Sequence, residues 1–337
     1  SRDAPYFGFE IPNYPNKFFY VWLDAPIGYF AGLKNWCNKN NKNFDDFVSP
    51  DSCFEQIHFI GKDILYFHTL FWPAILKFSG FRTPTAVYAH GFLTINGHKM
   101  SKSKGTFITA EKYLETGLSP ELLRYYYASK LNGSMEDIDL NLEDFVNKVN
   151  SNLVGKYVNI ISRISGFILN IFDGKIVNQK NLTHESKLEK KINEKFDSYL
   201  NKIETGYESR NTSRVVRDLT ALMDSVNTYI EENKPWVLAK KINQDFESNK
   251  EKIVYLQSFH ETLSFCVHCF AKLTILIKPI LPAVSAKIEK EIFNLSRPFS
   301  WDDLNNLNIS SIKPIDHLIS RIHIRDLSKL REKPKNA

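Results

Sequence analysis

Cysteine is scarce: four in 337 residues, too few for a disulfide framework in a chain this long. Cys266 and Cys269 make a C-x-x-C, but it lies inside the apolar run Leu263–Ile277. Cys37 and Cys53 supply no second close pair, so a core role is expected rather than zinc or redox chemistry. No apolar run reaches the length of a membrane span, and the start carries no secretory pattern. A cytoplasmic protein without a membrane partner is therefore expected. Neither sign of charge dominates: 44 Lys and Arg stand against 38 Asp and Glu, a net of +6. That balance is compatible with a nucleic-acid partner but does not require one. No repeat of fixed period is found, and the first residue is Ser1, which fits a processed or truncated piece of a longer chain.

What is present is ordinary globular material, 43% apolar with 13% aromatic residues. Phe18–Leu23 reads as a strand buried on both faces, ended by Asp24-Ala25-Pro26-Ile27-Gly28-Tyr29. Residues 38–55, rich in Asn and Lys, read as an exposed connection. A second strand is expected at Ile57–Ile60, a helix from about Asp63 to Phe78, and a third strand over Ala86–Leu93. This order is the βαβ pattern of a parallel sheet, whose ligands bind beyond the carboxyl ends of its strands. From about Glu143 the period becomes helical. Val149, Leu153, Tyr157, Ile160, Ile164 and Ile168 form one apolar face, and further stripes start at Leu188, Val216 and Leu256, the last stopped by Pro279. The predicted class is α/β followed by all-α: a parallel-sheet domain, a small connector, then an antiparallel helix bundle.

Three stretches carry chemistry. Lys99-Met100-Ser101-Lys102-Ser103-Lys104-Gly105 packs three lysines and two serines ahead of a glycine, after the turn Asn96-Gly97-His98. Ammonium charges, hydroxyls and backbone N–H groups together suit a polyphosphate, although a solvated basic turn has the same composition. Trp22 through Tyr29 places an indole, a proline and a phenol at the exit of the first expected strand. That would make an apolar pocket with one hydroxyl, while Trp22 alone is as easily core packing. On the helix that follows, Ile64, His68 and Trp72 recur at steps of four and share a face.

The lysine stretch is similar to the signature lysine loop of class I aminoacyl-tRNA synthetases. Val21–Tyr29, Gly61-Lys62-Asp63-Ile64 with Phe67–Pro73, and His90-Gly91 leading to the loop resemble the methionyl-tRNA synthetase family in that family's order. The resemblance implies a Rossmann-like catalytic domain and ATP-dependent attachment of methionine to tRNA(Met) through methionyl-adenylate. It implies that Trp22, Ala25, Pro26, Tyr29, Ile64, His68 and Trp72 line a methionine pocket, where rings around a thioether gain sulfur–aromatic contacts. Gly61 and Asp63 would hold the ATP ribose and Leu93 would pack near adenine. Lys99 and Lys102 would serve the phosphates of ATP, taken with Mg2+ as substrate, and stabilise the charge of departing pyrophosphate.

The resemblance extends into the helices. Asn159 and Arg163 sit four apart, away from the apolar stripe, and by the resemblance contact the anticodon together with Trp236 of Pro235-Trp236. A solvated helix face and a buried indole are the plainer readings of the same residues. The family's His-x-Gly-His motif does not occur in this sequence. With that half of the fold would go the zinc-binding insertion and the groups expected to bind methionine's amino group. The expected layout is 1–105, the second half of the catalytic domain; 106–142, a connector; 143–296, an anticodon-binding bundle; and 297–337, a return segment with a loose basic tail. The expected function is the carboxyl part of a methionyl-tRNA synthetase, monomeric and inactive alone in adenylate formation; the alternative is a non-catalytic anticodon-binding protein derived from one.

Overall fold

The computed structural model describes residues 1–331 except 4–6, 101–107, 179–185, 243–245 and 315. Its contacts divide the chain into two compact units: residues 1–92 with 134–137, and residues 93–133 with 138–337. Among the described residues no helix is long and apolar enough to cross a membrane.

The first unit opens with the short antiparallel strands β1 (Arg2–Asp3) and β2 (Lys17–Phe18). The expected strand Phe18–Leu23 is not formed. Past Phe18 the chain bends into a 3-10 turn, Val21–Leu23, leaving Val21 and Leu23 exposed. An apolar run becomes a strand only where another strand meets its N–H and C=O groups; here Lys17–Phe18 pairs with β1, Phe18 also bridges Glu10, and the Phe19 N–H reaches the Phe9 carbonyl at 2.9 Å. Helix α1 (Ile27–Lys39) follows Pro26. The connection at 38–55 is less open than its composition suggests, since it contains α2 (Asp45–Val48) with Val48 buried. Strand β3 (Ile57–Gly61) pairs in parallel with β4 (Ala86–His90), Ile57 opposite Ala86 through Gly61 opposite His90.

The crossover between them is helical but not one uniform helix. A 3-10 turn, Lys62–Ile64, leads to a π-helical turn, Phe67–Phe71, and then α3 (Trp72–Phe78). Trp72 N–H reaches back five residues to the Phe67 carbonyl. Pro73, with no N–H to give, opens α3. The third strand stops at His90 instead of reaching Leu93. Gly91 passes so close to the Glu136 backbone that a Cβ there would lie 2.0 Å from its carbonyl oxygen, and Phe92 N–H is taken by Asp137 Oδ1 at 2.8 Å.

In the second unit β5 (Leu93–Ile95) lies between β6 (His98–Lys99), antiparallel, and β7 (Ile138–Leu140), parallel. Helices α4 (Ala110–Glu115) and α5 (Pro120–Ala128) precede β7. One continuous helical rod then runs through α6 (Leu142–Lys148), a π-helical stretch Val149–Val158 and α7 (Asn159–Phe172). Against it pack α9 (Thr212–Asn233) and α11 (Asn249–Ile277), with α10 (Pro235–Lys241) between them in sequence, and α8 (Lys187–Glu208) packs on α9. The predicted stripe is the buried one: Val149, Leu153, Tyr157, Ile160, Ile164 and Ile168 have no exposed surface. Tyr157 closes it with a 2.7 Å hydroxyl contact to Thr274 on α11. Cys266 and Cys269 are both buried, and burial raises their thiol pKa values, that of Cys269 to about 12. Ahead of the expected basic tail, Leu327 and Leu330 are buried and Lys329 Nζ donates to the Glu115 carbonyl at 2.6 Å; residues 332–337 of that tail lie outside the described residues.

Candidate functional site

In the first unit the helical crossover and the start of α1 bring together most of the pocket residues expected from sequence. Trp22 lies in the 3-10 turn, its ring stacked on Phe67 with centroids 4.6 Å apart and edge-on to His68 at 5.3 Å. The Tyr29 hydroxyl is 2.8 Å from His68 Nε2, and His68 Nδ1 is 3.0 Å from the Ile64 carbonyl. A carbonyl only accepts, so Nδ1 carries the proton. In the neutral ring Nε2 then accepts from Tyr29. Ile64 thus enters through its backbone, and the fully buried His68 is fixed in both rotation and tautomer. Ala25 and the buried Pro26 form the turn linking Trp22 to Tyr29. Trp72 is buried and packs edge to face against Phe30 at 5.4 Å; its indole nitrogen has no protein acceptor.

Three ring residues belong to this cluster without having been singled out by sequence. Phe30 gathers Trp72, Phe44 and Phe81 around it. Phe67 stacks on Trp22 because the π-helical turn shifts side chains relative to a regular helix, which a step-of-four pattern does not register. His58, on β3, lies 5.1 Å from the Tyr29 ring and 5.6 Å from the His68 ring. Burial, and secondarily the neighbouring His68, push its pKa below the usual histidine value. A neutral, aromatic, tightly oriented pocket favours an uncharged, polarisable side chain over a charged one.

The residues expected at ATP divide between the units. Gly61 ends β3 and leads into the turn that holds Asp63, where an added Cβ would sit 2.8 Å from Asp63 Oδ1. The same turn is pinned by Lys62, whose ammonium is 2.6 Å from Asp137 and 4.9 Å from the Phe92 ring centroid. Asp137 lies 75 residues away in sequence, and no local pattern announces it. Leu93 is on β5, half-buried against the second unit's core, and Lys99 ends β6. Lys102 lies outside the described residues. Among the described residues no three metal-ligating side chains gather into a metal site.

The second unit joins the remaining three. Asn159 Nδ2 donates to Asn227 Oδ1 at 2.9 Å, and Arg163 is paired with Glu231 at 2.6 Å, so neither side chain simply faces solvent. The Arg163 guanidinium lies 4.6 Å above the Trp236 ring, a cation–π stack that orients both groups. Lys234, in the left-handed region at φ 46°, turns the chain sharply, and Pro235 opens α10, presenting the half-buried indole beside α7.

A family model described as tRNA synthetases class I (M) matches residues 1–165. Residues 1–165 thus resemble the class I tRNA synthetases. The methionine–tRNA ligase of Burkholderia vietnamiensis is 50% identical over 333 residues, covering 98% of this chain and 43% of that protein. That of Neisseria meningitidis serogroup B is 48% identical over 337 residues, covering 100% of this chain and 46% of the relative. The chain resembles methionine–tRNA ligases along nearly all of its own length, and spans less than half the length of these relatives. Its fold matches a solved Mycobacterium tuberculosis methionyl-tRNA synthetase in complex with methionyl-adenylate, with a TM-score of 0.77 at 24% identity, over 94% of this chain and 59% of that one.

Proposed function

We propose that this chain supplies the methionine pocket, the start of the lysine loop and the anticodon-reading bundle of a methionyl-tRNA synthetase. The enzyme would join methionine to tRNA(Met) at the expense of ATP with Mg2+. The observation that carries the reading is the Tyr29–His68–Ile64 hydrogen-bonded row beneath the Trp22–Phe67 stack. It offers an unbranched thioether two aromatic faces and one fixed hydroxyl. Gly61 and Asp63 would take the ribose and Leu93 the adenine edge. Lys99 and Lys102 would neutralise charge as methionine's carboxylate attacks the α-phosphate and pyrophosphate leaves.

In the bundle, Asn159, Arg163 and Trp236 would meet the anticodon, with the indole available for stacking on an unpaired base. Adenylate formation by this chain alone is expected to be slow, because it carries no His-x-Gly-His. Binding of initiator tRNA, with its own anticodon and with one base of it changed, tests the reading. The reading predicts anticodon-sensitive binding that is lost in Trp236→Ala; equal binding of both tRNAs would refute it. In the complete enzyme Lys102→Ala should slow adenylate formation and leave methionine binding nearly unchanged.

A further inference from the structure

Strand β6 ends at Lys99, so whatever fixes β6 fixes where that ammonium starts. The β5–β6 hairpin is very short: Thr94 opposes Lys99 and Ile95 opposes His98. Asn96 and Gly97, at φ 48° and 77°, make the two-residue turn that matches strand twist. A hairpin of two pairs has little stability of its own.

Its support comes from β7, where Thr94 opposes Asp139. Asp139 Oδ1 accepts the Thr94 hydroxyl at 2.8 Å and the Gly97 N–H at 2.7 Å. One carboxylate oxygen therefore ties the middle of β5 to the turn. Lys99, Thr94 and Asp139 are successive cross-strand neighbours, which puts them in one row on one face of the sheet. Asp139 is itself bolted down, because its carbonyl accepts the hydroxyl of the buried Tyr126 at 3.1 Å.

We propose that Asp139 is a positioning residue for polyphosphate binding: it holds the Asn96–Gly97 hairpin so that Lys99 is presented to the phosphates. The inference rests on the synthetase reading of Lys99. It assigns Asp139 a role through hydrogen bonds accepted, not through its charge, so an amide at this position should serve nearly as well.

Titration of this chain with inorganic pyrophosphate at low ionic strength tests it, with methionine binding and thermal melting measured beside it. Asp139→Ala should weaken pyrophosphate about tenfold, the loss expected when two ordinary hydrogen bonds disappear. Methionine affinity should stay within twofold of the unsubstituted chain, and Gly97 amide exchange should speed up. Asp139→Asn, which keeps an oxygen for both donors, should restore pyrophosphate affinity to within about twofold. Pyrophosphate binding by Asp139→Ala equal to that of the unsubstituted chain would overturn the proposal. So would an Asn variant as weak as Ala, or parallel loss of methionine binding and melting temperature in both variants. An unsubstituted chain that binds neither pyrophosphate nor methionine would instead sink the synthetase reading, and the inference with it.

Discussion

Among the described residues 1–92, Cys37, Val48, Ile60, Trp72 and Leu76 form a small buried core beside Pro26 and His68, whereas the helices from Leu142 to Ile292 bury one unbroken core. The first unit leaves Phe9, Phe59, Tyr66 and Leu70 largely exposed. Its β3–β4 pair has no third strand among the described residues. The bundle satisfies its buried hydroxyls internally, as Tyr157 does with Thr274 and Tyr229 with Glu189. Half-buried rings are poor material for stability but good material for a pocket, because their faces remain available to a ligand. The bundle should therefore fold on its own account, while the first unit carries the proposed pocket on a thin core.

The largest effect should come from cutting the dry core. Phe270→Ala removes a side chain with no exposed surface and should cost about 3–5 kcal/mol of unfolding free energy in urea titrations. Phe59→Ala, at a residue 69% exposed in the first unit, should stay within about 0.5 kcal/mol. Equal losses at the two positions would dissolve the contrast between the units.

Trp236→Ala tests whether the bundle's surface aromatic binds rather than packs. Losing one base stack of about 1–3 kcal/mol should weaken tRNA binding roughly five- to hundredfold, measurable by filter binding, and should spare ATP–pyrophosphate exchange in the complete enzyme. In the pocket, Tyr29→Phe leaves His68 Nε2 without its donor. Methionine affinity, read by equilibrium dialysis, should fall by about 1–2 kcal/mol while the melting curve hardly moves.

The smallest effect is a pH slope. His268 in the bundle is 2% exposed, its Nε2 is 2.8 Å from the Val177 carbonyl, and burial lowers its pKa, with Lys272 adding to the shift. The unfolded chain then binds a proton that the folded one refuses. Stability is full above about pH 6.5 and declines as pH falls below that value toward the folded pKa. The melting temperature of the bundle should drop between pH 7 and 5, and His268→Gln should flatten that dependence.

The same contrast explains what could be read from sequence. The stripe Val149–Ile168 was legible because each residue's burial is decided by neighbours three or four positions away on a self-contained core, even across the π-helical stretch. Phe18–Leu23 misleads because an apolar run declares burial but not a pairing partner, and the structure spends it on a turn. Ala86–Leu93 is cut by a close approach at Gly91 to residue 136, which no local pattern encodes. Trp22, Tyr29 and His68, grouped by the resemblance, are brought into ring and hydroxyl contact. Phe67 was hidden by one π-helical turn, His58 by its place on a strand, and Asp137 and Asp139 by their distance from the loops they hold.

Methionine-dependent ATP–pyrophosphate exchange by this chain, run beside tRNA binding on the same preparation, tests the division of labour most directly. The account predicts anticodon-sensitive tRNA binding with exchange near background, because the bundle has a core of its own and the first unit is thinly packed. Exchange at the rate of a working synthetase would contradict it, and would mean that the thinly packed pocket unit suffices for adenylate formation.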